Sequence, residues 1–155
     1  MVAIDIRLRD NMGMEPATAP EKMARDLVGS ADADWIRHLV DALDREVRTE
    51  PLRRTVKLWD LSNAAAARLF GVSRQAFSKW LGAGPPADRA DDVARVASIT
   101  DLLDRYVKRE RIPAVVRRSA PILGGKSIME MVEAGEHAEA ATRVGAMFDL
   151  RRVQP

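Results

Sequence analysis

The sequence predicts an all-α fold, and three observations predict it. Apolar residues recur at helical spacing between proline and glycine breaks, and no alternating strand pattern stands out. Aromatics are only 5%, while Ala, Arg, Asp, Leu and Val abound, a balance that favours helix over sheet. Serines stand just before apolar runs (Ser62, Ser73, Ser127) and glycines just after them (Gly71, Gly135), as helix starts and stops require.

The 155 residues have room for one domain or two small ones, with enough length to bury a core. Hydrophobic residues at 46% and charged residues at 31% are the balance of a globular chain. Without cysteine, disulfides and thiolate metal sites are excluded, and a reducing cytoplasmic setting is expected. No apolar run approaches a membrane span, and the opening MVAIDIRLRD, charged from its fifth residue, reads as no signal peptide.

Residues 1–30 hold Asn11-Met12-Gly13, Pro16 and Pro20 without sustained periodicity, so a mobile arm with a short helix from Glu21 to Val28 is expected. From Asp34 an amphipathic helix is predicted, with Trp35, Ile36, Leu39, Val40, Leu43 and Val47 on one stripe and Asp41, Asp44 and Arg48 opposite. Pro51 is expected to end or restart it. A further helix across Leu52, Val56 and Trp59 then leads into residues 62–81, SNAAAARLFGVSRQAFSKWL.

That stretch carries the clearest pattern in the chain, a helix-turn-helix. Ser62 caps a first helix with Ala66, Ala67 and Phe70 inward; Gly71-Val72-Ser73 makes the turn; Ser73 caps a second helix with Phe77, Trp80 and Leu81 inward. Ser73, Arg74, Gln75, Ser78 and Lys79 are the candidate DNA-binding residues. Arg74 and Lys79 suit guanine edges or phosphates, and Gln75 suits adenine. Net charge is only +2, but from Arg45 to Trp80 eight basic residues face three acids, a local +5 that coincides with the motif.

Gly82-Ala83-Gly84-Pro85-Pro86 reads as the domain boundary, giving an arm at 1–30, a helical DNA-binding module at 31–84, and a linking helix plus second domain at 85–155. In that second part a long helix is expected from Asp88 to Arg109, with Val93, Val96, Ala97, Leu103, Tyr106 and Val107 on one stripe. A short helix through Val115 and Val116 follows Pro113, then a loop from Ser119 to Gly125. Two last helices are expected at Ser127–Ala134 and from Glu136 to about Phe148, parted by Gly135.

Other constellations read as packing or surface. Trp35, Trp59 and Trp80 sit on apolar stripes, so core packing is expected of all three. Glu133 and His137, at i, i+4 spacing without a third ligand, read as solvated helix surface rather than a metal site. Gly125-Lys126-Ser127 lacks the first glycine of a P-loop, since Ala120 stands there. No Ser or Thr has a histidine base at a motif spacing and no paired carboxylates stand out, so no enzyme is expected.

Ile112-Pro113-Ala114-Val115-Val116-Arg117-Arg118 and Leu123-Gly124-Gly125-Lys126-Ser127, the latter followed by apolar residues and Gly135, resemble the toxin-binding domain of Xre/MbcA/ParS-type antitoxins. The helix-turn-helix with Gly71-Val72-Ser73-Arg74-Gln75 is similar to that family's N-terminal module, and the resemblance covers about residues 60–153. Ile128 stands where the family commonly has proline, and Val115 where an aromatic is often seen; both stay apolar. The resemblance implies a protein with no cofactor of its own that represses its own operon and occludes a RES-type, NAD-consuming toxin. Leu123, Gly124, Gly125, Lys126, Phe148, Leu150, Arg151 and Arg152 are then the candidate toxin-binding residues.

Operators usually present two half-sites, so a homodimer or a toxin–antitoxin hetero-oligomer on double-stranded DNA is expected, with no membrane partner. The Trp35 helix and the long helix after Pro86 are both candidate dimer surfaces. Two alternatives stand beside the antitoxin reading: a free-standing regulator whose C-terminal half dimerises or senses a ligand, and a protein-interaction module that no longer binds DNA.

Overall fold

A computed structural model describes residues 19–150, with the side chain of Leu150 outside what is described. The fold is all-α, and the described residues contain no strand. In order come α1 (Pro20–Ser30), α2 (Ala33–Leu58), α3 (Asn63–Leu69), α4 (Arg74–Ala83), α5 (Ala87–Tyr106), α6 (Ile112–Arg117), α7 (Ile128–Glu133) and α8 (His137–Leu150). Single 3-10 turns at Arg109–Arg111 and Pro121–Leu123 stand before α6 and α7. No described helix is long and apolar enough to cross a membrane.

The chain divides into two compact units, one through Asp41 and one from Ala42 onward. In the first, α1 begins on Pro20, which suits a first turn because its missing N–H has no partner there to lose. Asp32 Oδ1 accepts from the backbone N–H groups of Asp34 and Trp35, each at 2.9 Å, and so starts α2. No residue described in this unit is buried. Most of the expected mobile arm, residues 1–18, lies outside the described residues.

In the second unit α5 pairs with α8 most extensively, α6 and α7 pack together, and α3 rests on both α4 and α7. Leu52, Trp59, Phe77, Val96, Ile99, Leu103, Ile112, Val116, Ile128, Met131 and Val144 belong to one contiguous core. Thr55 Oγ1 meets Thr100 Oγ1 at 3.0 Å inside it, joining α2 to α5.

Three expectations are corrected here. Pro51 does not break the chain: α2 runs through it from Ala33 to Leu58. An interior proline costs about 3 kcal/mol, but Leu52, Thr55 and Trp59, all buried just beyond it, hold the helix to the core. The glycine–proline break at 82–86 is no boundary either, since both its flanks feed the same core. It is a corner. Gly84 takes φ 88°, and a Cβ there would stand 3.0 Å from Arg48 Cβ, so only glycine lets the turn pass so close to α2. Trp35, finally, is 46% exposed, whereas Trp59 and Trp80 are core residues as expected.

Candidate functional site

The α3–α4 unit is fixed at every end by its own sequence. Ser62 Oγ accepts from Ala65 N–H and Ser73 Oγ from Ala76 N–H, both at 3.1 Å. Between them α3 closes as a Schellman turn: Gly71 N–H bonds Arg68 O at 3.0 Å and Val72 N–H bonds Ala67 O at 2.9 Å, with Gly71 at φ 63°. The inner faces meet through three rings. Phe70 stacks on Phe77 with centroids 6.0 Å apart and meets Trp80 edge-on at 6.1 Å.

With Phe77 and Trp80 turned inward, helical periodicity puts Arg74, Gln75, Ser78 and Lys79 on the outer face. All four are exposed, and none has a hydrogen-bond or ion-pair partner among the described residues. Residues 62–83 contain Arg68, Arg74 and Lys79 and no acid. The result is a rigid helix presenting two cations, an amide and a hydroxyl to solvent. Ser73, the fifth predicted residue, spends its hydroxyl on the cap.

The turn that joins α2 to this unit was not visible in the sequence. α2 ends in the same kind of turn, with Asp60 N–H on Lys57 O at 3.3 Å and Leu61 N–H on Val56 O at 3.0 Å. The left-handed position here holds Asp60 at φ 51° rather than glycine. Arg117, from α6, clamps the turn: its guanidinium donates to Trp59 O and Asp60 O, both at 3.0 Å.

The loop of the second candidate set is built as tightly. Ser127 and Glu130 form a capping box, Ser127 Oγ accepting from Glu130 N–H at 3.1 Å and Glu130 Oε2 accepting from Ser127 N–H at 2.7 Å. The Ser127 backbone N–H first, then the Ser127 hydroxyl, hold the Glu130 carboxyl below its usual range. Gly124 and Gly125 are both left-handed, at φ 71° and 79°. Arg143 braces the loop from α8, donating to Ile122 O at 3.3 Å and to Glu139 Oε1 at 2.7 and 2.9 Å. Nothing in the sequence marked Arg143, because its partner Ile122 lies 21 residues away.

The predicted toxin-binding residues separate accordingly. Gly124, Gly125 and Lys126 are exposed together, beside an Ile122 that is also exposed, and Lys126 Nζ pairs with Glu136 Oε1 at 2.6 Å. Leu123 is buried under the loop. Phe148 is a correction: it is buried and stacks on Tyr106 at 4.8 Å, so it serves the core rather than offering an anchor to a partner. Arg151, Arg152 and the Leu150 side chain lie outside the described residues.

His137 is corrected too. It is buried rather than solvated, with Nδ1 3.3 Å from Asp92 Oδ1, and this links the start of α8 to α5. Among the described residues no group of three His, Cys, Asp or Glu side chains is placed to hold a metal.

A second charged cluster escaped the sequence reading. Arg54 Nη2 bonds Asp104 Oδ2 and Arg109 Nε bonds Asp104 Oδ1, each at 2.7 Å, while Arg54 Nη1 reaches Asp101 Oδ1 at 2.7 Å. The Arg109 hydrogen bond, opposed by burial and joined by the one from Arg54, holds the Asp104 carboxyl below the usual range. With Glu50, Arg53, Lys57 and Leu58 these arginines line an open cleft of about 270 Å³.

Comparison with protein-family models, with curated proteins and with solved structures returns no match for this chain.

Proposed function

We propose that this protein is a DNA-binding antitoxin: the α3–α4 unit grips an operator, and the surface around Gly124–Lys126 docks a RES-type toxin and occludes its active site. One observation carries the DNA half. A capped, ring-locked helix leaves Arg74, Gln75, Ser78 and Lys79 exposed and unpartnered on an acid-free unit. Side chains that satisfy nothing in their own fold, held on a rigid element, are what a major-groove reader needs. Arg74 and Gln75, in the first turn, would meet base edges, and Lys79 a phosphate.

The toxin half rests on the resemblance of residues 112–118 and 123–135 and on the exposure of Ile122, Gly124 and Gly125 together. Burial of Leu123 and Phe148 removes two of the expected contacts. That loss favours the alternative, a regulator without a toxin.

Two experiments decide. Binding of the protein to its own promoter is measured over a salt series. Arg74→Ala and Lys79→Ala should each weaken it, and Lys79→Ala should lower the salt slope by about 1. No binding at low salt would end the DNA claim. Co-expression with the adjacent open reading frame tests the rest. A toxic neighbour that this protein neutralises and co-purifies with supports the antitoxin, and a harmless neighbour leaves the free-standing regulator.

A further inference from the structure

Of the two helices whose apolar stripes suit a dimer, only one has its stripe to spare. Val93, Val96, Ile99 and Leu103 of α5 are buried in the core. On α2, by contrast, Val40 is 57%, Leu43 55% and Val47 68% exposed, and Ile36 is half-buried. Together with Ala33 these residues fall at successive spacings of 3, 4, 3 and 4, the alternation of a coiled-coil seam. A stripe of this kind is covered by another helix.

The identities of the seam residues say which helix. Ala33, Val40 and Val47 take the a positions and Ile36 and Leu43 the d positions; β-branched Val40 and Val47 at a on either side of Leu43 at d favour two parallel strands. From Asp32 to Glu50 acids outnumber bases six to three, which disfavours nucleic acid or an anionic membrane as the occupant.

We infer that α2 is a dimerisation helix, whose seam from Ala33 to Val47 pairs in parallel with the same seam of a second copy of this chain. The seam is about 21 Å long at 1.5 Å per residue, which makes the dimer reversible and dependent on concentration. The inference deepens the DNA reading, which calls for two modules on two half-sites, but it is tested without DNA, so either can fail alone.

The 155-residue chain is examined by sedimentation velocity over a dilution series. The expected result is exchange between 17.2 kDa and twice that mass, abolished by Val40→Glu with Leu43→Glu, while circular dichroism stays unchanged because both positions are exposed. As the chain has no cysteine, Val40→Cys supplies a single thiol, which under oxidation should link two chains far faster than Arg45→Cys at the outer f position. A monomer at every concentration overturns the inference. So does a dimer that survives the two glutamates, or equal linking at positions 40 and 45.

Discussion

Arg117→Ala is expected to unfasten the turn from which the α3–α4 unit starts. The turn is strained: Asp60 sits at φ 51°, a left-handed conformation that costs a residue with a Cβ about 1–2 kcal/mol, with Asp near the low end. Arg117 holds it with two hydrogen bonds to carbonyls 58 and 57 residues away, and a third, to Pro113 O at 2.6 Å, fixes the guanidinium to its own helix. The charge-assisted bond to the part-buried Trp59 carbonyl contributes about 1.5 kcal/mol and the exposed one to Asp60 about 1 kcal/mol. The variant should therefore lose about 2–3 kcal/mol, a fall of roughly 5–10 °C in Tm for a chain of this size. Urea unfolding followed by circular dichroism measures the loss, with the slope m unchanged if only stability has moved. Arg117→Lys, with one point charge in place of a fork, should recover no more than half. In an Asp60→Gly background the same change should cost at least as much, because an unstrained turn recovers nothing by relaxing once the clamp is gone. A loss below about 0.5 kcal/mol, the level of an ordinary surface substitution, refutes the clamp.

Three further outcomes follow from single sites. Asp104→Asn should cost about 2 kcal/mol at neutral pH. Because the folded carboxyl titrates below its unfolded value near 3.9, Asp104 contributes stability above that value and loses it as pH falls through the folded one. Thermal melts should thus fall more steeply from about pH 5 to pH 3 in the natural protein than in the variant, and parallel curves would show the contrary. Ser127→Ala removes a cap that is 3% exposed and should cost about 1–2 kcal/mol, more than the exposed cap lost in Ser62→Ala. Gly84→Ala meets both a left-handed φ and the Arg48 Cβ and should cost about 2–3 kcal/mol, whereas Gly82→Ala, in open space on α4, should gain about 0.5 kcal/mol. Equal effects at the two glycines would contradict the close approach to α2.

What the sequence made legible was local. Ser62, Ser73, Ser127 and Gly135 act within four residues of themselves, so the ends of α3, α4 and α7 could be read from neighbours in the chain. The faces of those helices followed, because Phe77 and Trp80, or Ile128, Met131 and Val132, repeat at helical spacing and are buried. Long-range partners have no such signature. Arg117 looked like any exposed arginine until α6 came to lie beside the turn at Asp60, and Asp104 like any helix-surface acid until Arg54 and Arg109 closed on it. Pro51 misled because a local rule was outweighed by burial on either side of Thr55. Trp35 misled for a different reason. Periodicity tells which face of a helix is apolar, not whether anything in the same chain covers it.

The corner at Gly84 alters how the two candidate surfaces relate. A flexible linker there would leave α4 and the Gly124–Gly125 loop to act independently, as tethered modules do. Instead α3 packs against α7, the helix that follows the loop, and Arg117 reaches back from the segment before the loop to the turn before α3. Packed cores move between discrete arrangements rather than deforming smoothly. A partner that shifts the loop must therefore strain α7, and α7 bears on the helix that supports Arg74 and Lys79 through the Phe70–Phe77 stack. Coupling between the two surfaces requires no domain motion: it needs only that one ligand favour a packing of α3 on α7 that the other resists.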